Sequence, residues 1–208
     1  MDIKHCTERG RRRRTRRERG YSLPELLVVL GILGVTTSIG VFVANTSGWR
    51  TSAVASDVAR RLELARSQAA FNDYNFRVVF DDVDGRYAVH ADRNSDGDLD
   101  ESIGETLVES RLSASAEHIV FGCPPGVVGL DGAAVTDAVT FAGSPPAAVF
   151  RPGGSSTAGI VYLIDKQDLA HNDPSKMRAI SVNEATGRVR RWKYDPDSGG
   201  PVPWRLER

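Results

Sequence analysis

The sequence is poor in the residues from which catalytic and metal centres are built. Its 208 residues hold two cysteines, Cys6 and Cys123, and four histidines, of which His90, His118 and His171 stand far apart in the body of the chain. None of these has metal-ligand spacing, and two such distant cysteines do not make a disulfide framework. The small-residue run "GGSSTAG" at 153–159 lacks the G-x-S-x-G order of a nucleophile elbow. Catalysis therefore finds little support. Internal repeats are missing too, and nothing marks a second domain. What remains, 40% hydrophobic and 26% charged residues, suits one globular domain with a tail.

A net charge is also missing, yet the formal zero hides an asymmetry. Residues 1–20 carry nine Lys or Arg against three acids, so this head is +6 and the rest of the chain −6. An arginine-dense head abutting an apolar stretch obeys the positive-inside rule, which keeps the head in the cytoplasm. The stretch from Leu26 to Ala44 is nineteen residues without a charge. At 1.5 Å per residue it makes about 28 Å of helix, enough to span a membrane. A secretory signal peptide would have a shorter apolar region ending in small residues, whereas here bulky Phe42 occupies the minus-three place before Ala44. Twin-arginine export, suggested by Thr15-Arg16-Arg17, is opposed by the Glu18-Arg19-Gly20 that follows.

One carboxylate, Glu25, stands directly before this apolar run. It reads equally as a helix-start residue, completing a capping box with Ser22 beside Pro24, or as an ionisable group with a designated partner at the membrane edge. Within the run, Gly31, Gly34 and Gly40 allow helices to approach closely. The segment "NTSGWR" at 45–50 predicts a weak point at Gly48. After it, Val54, Val58, Leu62, Ala65 and Ala69 recur at steps of three and four, which predicts an amphipathic helix lying on a sheet.

From residue 76 the period becomes that of strands. Eight candidates follow: "FRVVFD", "GRYAVHAD", "ETLVESR", "EHIVFG", "AVTFAG", "GIVYLID", "MRAISVNE" and "RVRRWKY". The expected fold class is α+β: a long N-terminal helix, membrane-spanning in its first half and amphipathic in its second, packed on an antiparallel two-sheet or strongly curved β domain.

The segment Gly20-Tyr21-Ser22-Leu23-Pro24-Glu25-Leu26-Leu27, between a basic leader and a long apolar helix, resembles the prepilin leader motif of type IV pilins and type II secretion pseudopilins. The resemblance implies that a prepilin peptidase cleaves between Gly20 and Tyr21, that the new amino group of Tyr21 is methylated, and that Glu25 pairs with the charged N-terminus of a neighbouring pilin or pseudopilin subunit during assembly. Tyr21 stands where Phe is usual and Pro24 where Ile or Val is common. The implied organisation is a cleaved leader at 1–20, a transmembrane and assembly half at 21–47 and a periplasmic pilin-like domain at 48–208, anchored by a single pass in the inner membrane.

The C-terminal half, "VFRPGGSSTAGIVYLID" and then "MRAISVNEATGRVRRW", resembles the minor pseudopilins of the GspH and FimT group. This implies a minor subunit of a type II secretion pseudopilus, contributing to the filament tip and to protein export. The alternative is a FimT-like minor pilin of a type IV pilus that touches DNA during uptake. Neither is an enzyme, and no cofactor is implied for either. Many relatives carry a cysteine pair; here only Cys123 would remain after leader cleavage, so the sheet must be held by packing.

Two constellations bear on ligands. Asp92, Asn94, Asp96, Asp98 and Asp100, with Gly97 at the turn, resemble the start of an EF-hand calcium loop, although Ile103 occupies the twelfth position where a bidentate acid belongs. The bland reading is a solvated, aspartate-rich connection. Gly187-Arg188-Val189-Arg190 matches the Gly-Arg-x-Arg motif that FimT-type pilins use for DNA capture. In a strand, Arg188, Arg190, Trp192 and Tyr194 share one face, with Arg191 and Lys193 on the other. Cations beside aromatics suit phosphate contact and base stacking. Charged residues on a terminal strand also guard against edge-to-edge aggregation, and a body charge of −6 repels DNA at long range.

Overall fold

The computed structural model describes residues 22–44, 46–98, 100–112 and 118–207. The chain divides into two compact units, Met1–Val43 and Ala44–Arg208. The first contains helix α1 (Leu23–Ala44). The Ser22 carbonyl accepts the first helical hydrogen bond, from the Leu26 amide at 3.1 Å. Ser22 is thus the N-cap and Glu25 the third helical residue, where an acid faces the positive end of the helix dipole. Every residue from 22 to 34 is exposed, on all sides of the helix. No helix among the described residues is long and apolar enough to cross a membrane. Gly20 and Tyr21 lie outside the described residues, as do the side chains of the second half of the expected span.

The second unit begins with α2 (Thr46–Asn72), which runs unbroken through Gly48. Tertiary packing overrides the local propensity there, and a Cβ at Gly48 would meet the Lys176 side chain at ordinary contact distance. The face predicted from spacing is the buried one: Val58, Leu62, Ala65 and Ala69 are fully buried and Val54 nearly so. Ala55 and Ala59 join them, and these small residues let the helix backbone come close to the sheet surface.

Two antiparallel sheets carry the rest. One has the order β3-β2-β1-β5, from β1 (Asn75–Asp81), β2 (Arg86–Asp92), β3 (Thr106–Arg111) and β5 (Ala147–Phe150). The other has the order β4-β6-β7-β8-β9, from β4 (Ile119–Phe121), β6 (Gly159–Asp165), β7 (Arg178–Val182), β8 (Val189–Tyr194) and β9 (Trp204–Leu206). A short helix, α3 (Lys166–Ala170), follows β6, capped by the Asp165 carboxylate.

The main core lies between α2 and both sheets. Phe80 of β1 sits near its middle, stacked on Phe141 at 5.5 Å and edge-on to Phe121 at 5.8 Å. A second cluster covers the far face of the five-stranded sheet, where Tyr162, Ile164, Ala179 and Trp204 pack with Val127 and Met177. The Trp204 indole donates to the Val128 carbonyl at 2.8 Å, pinning that connection over the sheet.

Seven of the eight expected strands form. "AVTFAG" does not become one, meeting β6 at an isolated bridge from Val139 to Val161 and where the Ile160 amide donates to Thr140 Oγ1 at 2.8 Å. It lies beside the end of β6 that β4 leaves free, since β4 pairs only with Leu163 to Asp165. Two strands were not expected, β5 and β9, which have four and three residues. The β5–β6 connection also ties the sheets together. The Ser156 amide and hydroxyl donate to the Glu184 and Asn183 carbonyls, while the Thr157 amide donates to Val149 of the other sheet. This gives the Pro-Gly loop at 151–156 a structural task.

Candidate functional site

The β7–β8 hairpin builds the basic surface. Its turn closes because Asn183 Oδ1 accepts the Thr186 amide at 3.1 Å and hydroxyl at 2.8 Å, and the Gly187 amide donates to the Asn183 carbonyl at 2.8 Å. Gly187 then takes φ +60°, and a Cβ there would crowd the Gly154 carbonyl and the Arg66 side chain. Glycine before Arg188 is required by this turn whatever the arginine does.

Beyond the turn the alternation of β8 separates its charges. Arg190 and Trp192 face the outer surface, where together with Arg188 they line an open groove of 920 Å³. The groove continues over Ile160 and Ser181 of the neighbouring strands and past Asp131. Trp192 is fixed by its indole N–H, which donates to Ser181 Oγ at 2.9 Å. Arg66 joins from α2, a residue whose place here is invisible in the sequence because it sits on a helix face that reads as solvent. Among the described residues, none of Arg66, Arg188 and Arg190 forms an ion pair.

The opposite face of β8 is structural. The Arg191 guanidinium donates to Ser56 Oγ on α2. Nearby, buried Arg178 meets Glu207 at 3.6 Å, and Ser52 of α2 donates to the same carboxylate at 3.2 Å. Burial lowers the Arg178 pKa, and the Glu207 carboxylate opposes that shift. Lys193 is exposed and pairs in register with Arg178 and Arg205. Tyr194 leaves the groove for the second core cluster, edge-on to Trp204 at 5.3 Å.

The aspartate-rich loop lies at the end of the other sheet. The Asp96 amide donates to Asn94 Oδ1 and the Asp98 amide to Asp96 Oδ1. Asp100 Oδ1 accepts from the amide and hydroxyl of Ser102, which lowers the Asp100 pKa. Glu105, fully buried, accepts the Arg93 and Asp100 amides at 2.9 and 2.8 Å. Asp92 is buried beside the Arg77 guanidinium at 4.0 Å. That guanidinium also explains Gly97, whose φ is +89° and where a Cβ would collide with Arg77. In the EF-hand comparison this glycine serves the turn around a cation; here it makes room for an arginine. Asp96 and Asp98 remain exposed.

His90 lies in β2 opposite Arg77, 2% exposed, with no hydrogen-bond partner on either ring nitrogen among the described residues. Burial first and Arg77 second lower its pKa, opposed by Glu105 and Asp92. His118 precedes β4 and His171 caps α3, so the three histidines are not brought together. Burial pushes the Cys123 thiol up to about 11, which keeps it protonated at neutral pH. Among the described residues, no three His, Cys, Asp or Glu are grouped to hold a metal ion.

Comparison with known proteins places this architecture. The family described as type II transport protein GspH matches residues 54–186, from the buried face of α2 to the β7–β8 turn. No curated protein matches the chain significantly. Among solved structures, the minor pseudopilin EpsH from the type 2 secretion system of Vibrio cholerae is similar at 14% sequence identity with a TM-score of 0.47, covering 69% of this chain and 97% of that one.

Proposed function

The chain belongs to the GspH family of minor pseudopilins of the type II secretion system, and we propose that it enters the pseudopilus by the route its N-terminus resembles. It is a minor pseudopilin subunit, a structural and non-catalytic component that associates with other pseudopilins. The observation that carries this reading is the family match across α2 and most of both sheets.

In the finer reading, residues 1–20 are a cytoplasmic leader, cut by the prepilin peptidase between Gly20 and Tyr21, and the Tyr21 amine is methylated. Residues 21–47 hold the subunit in the inner membrane and later in the filament, and 48–208 form the periplasmic domain. Glu25, at the third position of α1, pairs with the free N-terminus of an adjacent subunit. Its exposure on a helix start, as the one charged residue among the described residues 22–34, supports that role. The subunit acts at the filament tip in protein export. DNA contact, as in a FimT-like pilin, is the second reading, favoured by Arg188, Arg190 and Trp192 lining one groove. Arg191 and Lys193 stand outside that groove.

The test uses the full chain in cells that carry the secretion system. Mass spectrometry should find Tyr21 as the methylated N-terminus, and Gly20→Val should block cleavage. Glu25→Gln should insert into the membrane as the wild type does yet be depleted from the cross-linked pseudopilus. An intact leader, cleavage near Ala44, or undiminished incorporation of Glu25→Gln would refute the corresponding step.

A further inference from the structure

Of the three tryptophans in the chain, two are held by the fold. The Trp192 indole donates to Ser181 Oγ and the Trp204 indole to the Val128 carbonyl, and both rings pack with the second core cluster. Trp49 has neither hold. It is 75% exposed in the first turn of α2, and among the described residues its ring meets no other ring and its N–H no acceptor. Arg50 beside it is exposed as well and forms no ion pair among the described residues. The domain gains nothing from either side chain.

Their place along the chain says what meets them. The uncharged run ends at Ala44, five residues before Trp49. Residues 46–49 are already helical and rise about 4.5 Å, and the two steps from Ala44 to Thr46 add at most about 8 Å, so the Trp49 Cα lies within about 12 Å of the end of that run however the two helices are set. The headgroup layer on each side of the hydrocarbon is about 5–8 Å deep. A run that fills the hydrocarbon therefore leaves Trp49 at the headgroups or within one side chain's reach of them. We propose that Trp49 and Arg50 contact the phospholipid headgroups of the periplasmic leaflet and set the depth at which the subunit rests before assembly.

The two residue types suit that layer. Tryptophan is enriched there because its ring packs among the upper acyl chains while its N–H finds a polar partner. Arginine brings a forked cation that matches lipid phosphate, on a stem that lies along apolar surface. Neither residue lines the basic groove or the cleft between α2 and β1. An isolated ring and cation suit fluid lipid, which moulds to them, better than a protein partner, whose interface core needs matched shape. The proposal rests on the reading that residues 21–47 hold the subunit in the membrane, and it adds a consequence for assembly. Entry into the filament strips both side chains of their lipid, so the contact is a hold that assembly must release.

The experiment places the full chain in vesicles of phosphatidylglycerol and phosphatidylcholine, brominated either high on the acyl chains or near their ends, and reads tryptophan fluorescence. High bromines should quench Trp49 at least about twofold more than deep ones. Trp49→Phe should lose that quenching while the emission of Trp192 and Trp204 persists. Arg50→Glu, which sets a carboxylate against the lipid phosphates, should roughly halve the quenching by high bromines. Both variants should melt as the wild type does, because both positions are exposed. Equal quenching in the wild type and in either variant, or stronger quenching by deep bromines, would overturn the proposal. So would a Trp49 that lipid leaves unquenched and that is shielded from acrylamide only in the assembled pseudopilus, which would assign it to a neighbouring subunit. Flotation on a sucrose gradient separates this failure from that of the membrane reading. A chain that floats with the vesicles but shows no quenching of Trp49 overturns the headgroup contact alone; a chain that does not float overturns both.

Discussion

The two long helices answer the same physical demand in opposite ways. Helix α1 is apolar on all sides, with Leu26, Leu27, Leu30 and Leu33 all more than half exposed. Helix α2 confines its apolar residues to one face and buries them against two sheets. A helix that satisfies itself within the chain is amphipathic, and one that is apolar all round is built for a surrounding outside the chain. The difference separates what this protein needs to fold from what it needs to assemble.

The strongest way to break the comparison is to place equal truncations in the two helices. Leu62→Ala removes a fully buried side chain from the centre of α2 and should cost about 2–5 kcal/mol, lowering the melting temperature by on the order of 10 °C. Leu27→Ala in α1 should leave the melting of the globular unit within about 0.5 kcal/mol. Equal losses at both positions, read by thermal and urea unfolding, would show that α1 contributes to the domain's core.

A smaller effect probes the domain's internal satisfaction. His90 is buried with no hydrogen-bond partner among the described residues, and its folded pKa lies below the ordinary 6.5. As pH falls through about 6.5, the unfolded chain takes up a proton that the folded chain resists, so the stability is present above that value and declines below it. The urea midpoint should therefore drop between pH 7 and pH 5, and His90→Leu should flatten that slope. An equal slope in the variant would move the cause to other groups. The smallest effect concerns the aspartate loop, where Arg77 already lies against Asp92 and Gly97. Millimolar calcium should shift the melting temperature by less than about 2 °C relative to chelator. A clear rise would mean that the carboxylates turn from the guanidinium to a cation.

The helical face was legible because Val54, Val58, Leu62, Ala65 and Ala69 repeat with the period of a helix, and burial follows that period. Strands of five or more residues were legible through alternation, and so was the division of β8 into a groove face with Arg190 and an inner face with Arg191. Strands β5 and β9 were not: β5 reads Ala-Ala-Val-Phe without polar alternation and β9 directly follows Pro201-Val202-Pro203, whereas the equally short β4 sits in the longer run "EHIVFG"; both owe their pairing to neighbours already in place. "AVTFAG" has the pattern of a strand, but β6 offers it only the stretch that β4 leaves. Arg66 in the groove and Arg77 beneath the aspartates share one reason for being missed: each is brought to its site by tertiary approach across more than ten residues of chain, which no local spacing encodes.

The clasp between the chain's last residues and the start of α2 bears on when the domain can form. Ser52 and Glu207 are 155 residues apart and Ser56 and Arg191 are 135 apart, yet both pairs are hydrogen-bonded. Contacts of such long range form late, after the intervening chain has been drawn together. Until Glu207 is in place, Arg178 lacks the carboxylate that meets its guanidinium in the folded domain. Folding is thereby ordered in time: the domain stays open while its strands are drawn together, and it locks only when Glu207 and Arg191 reach the start of α2.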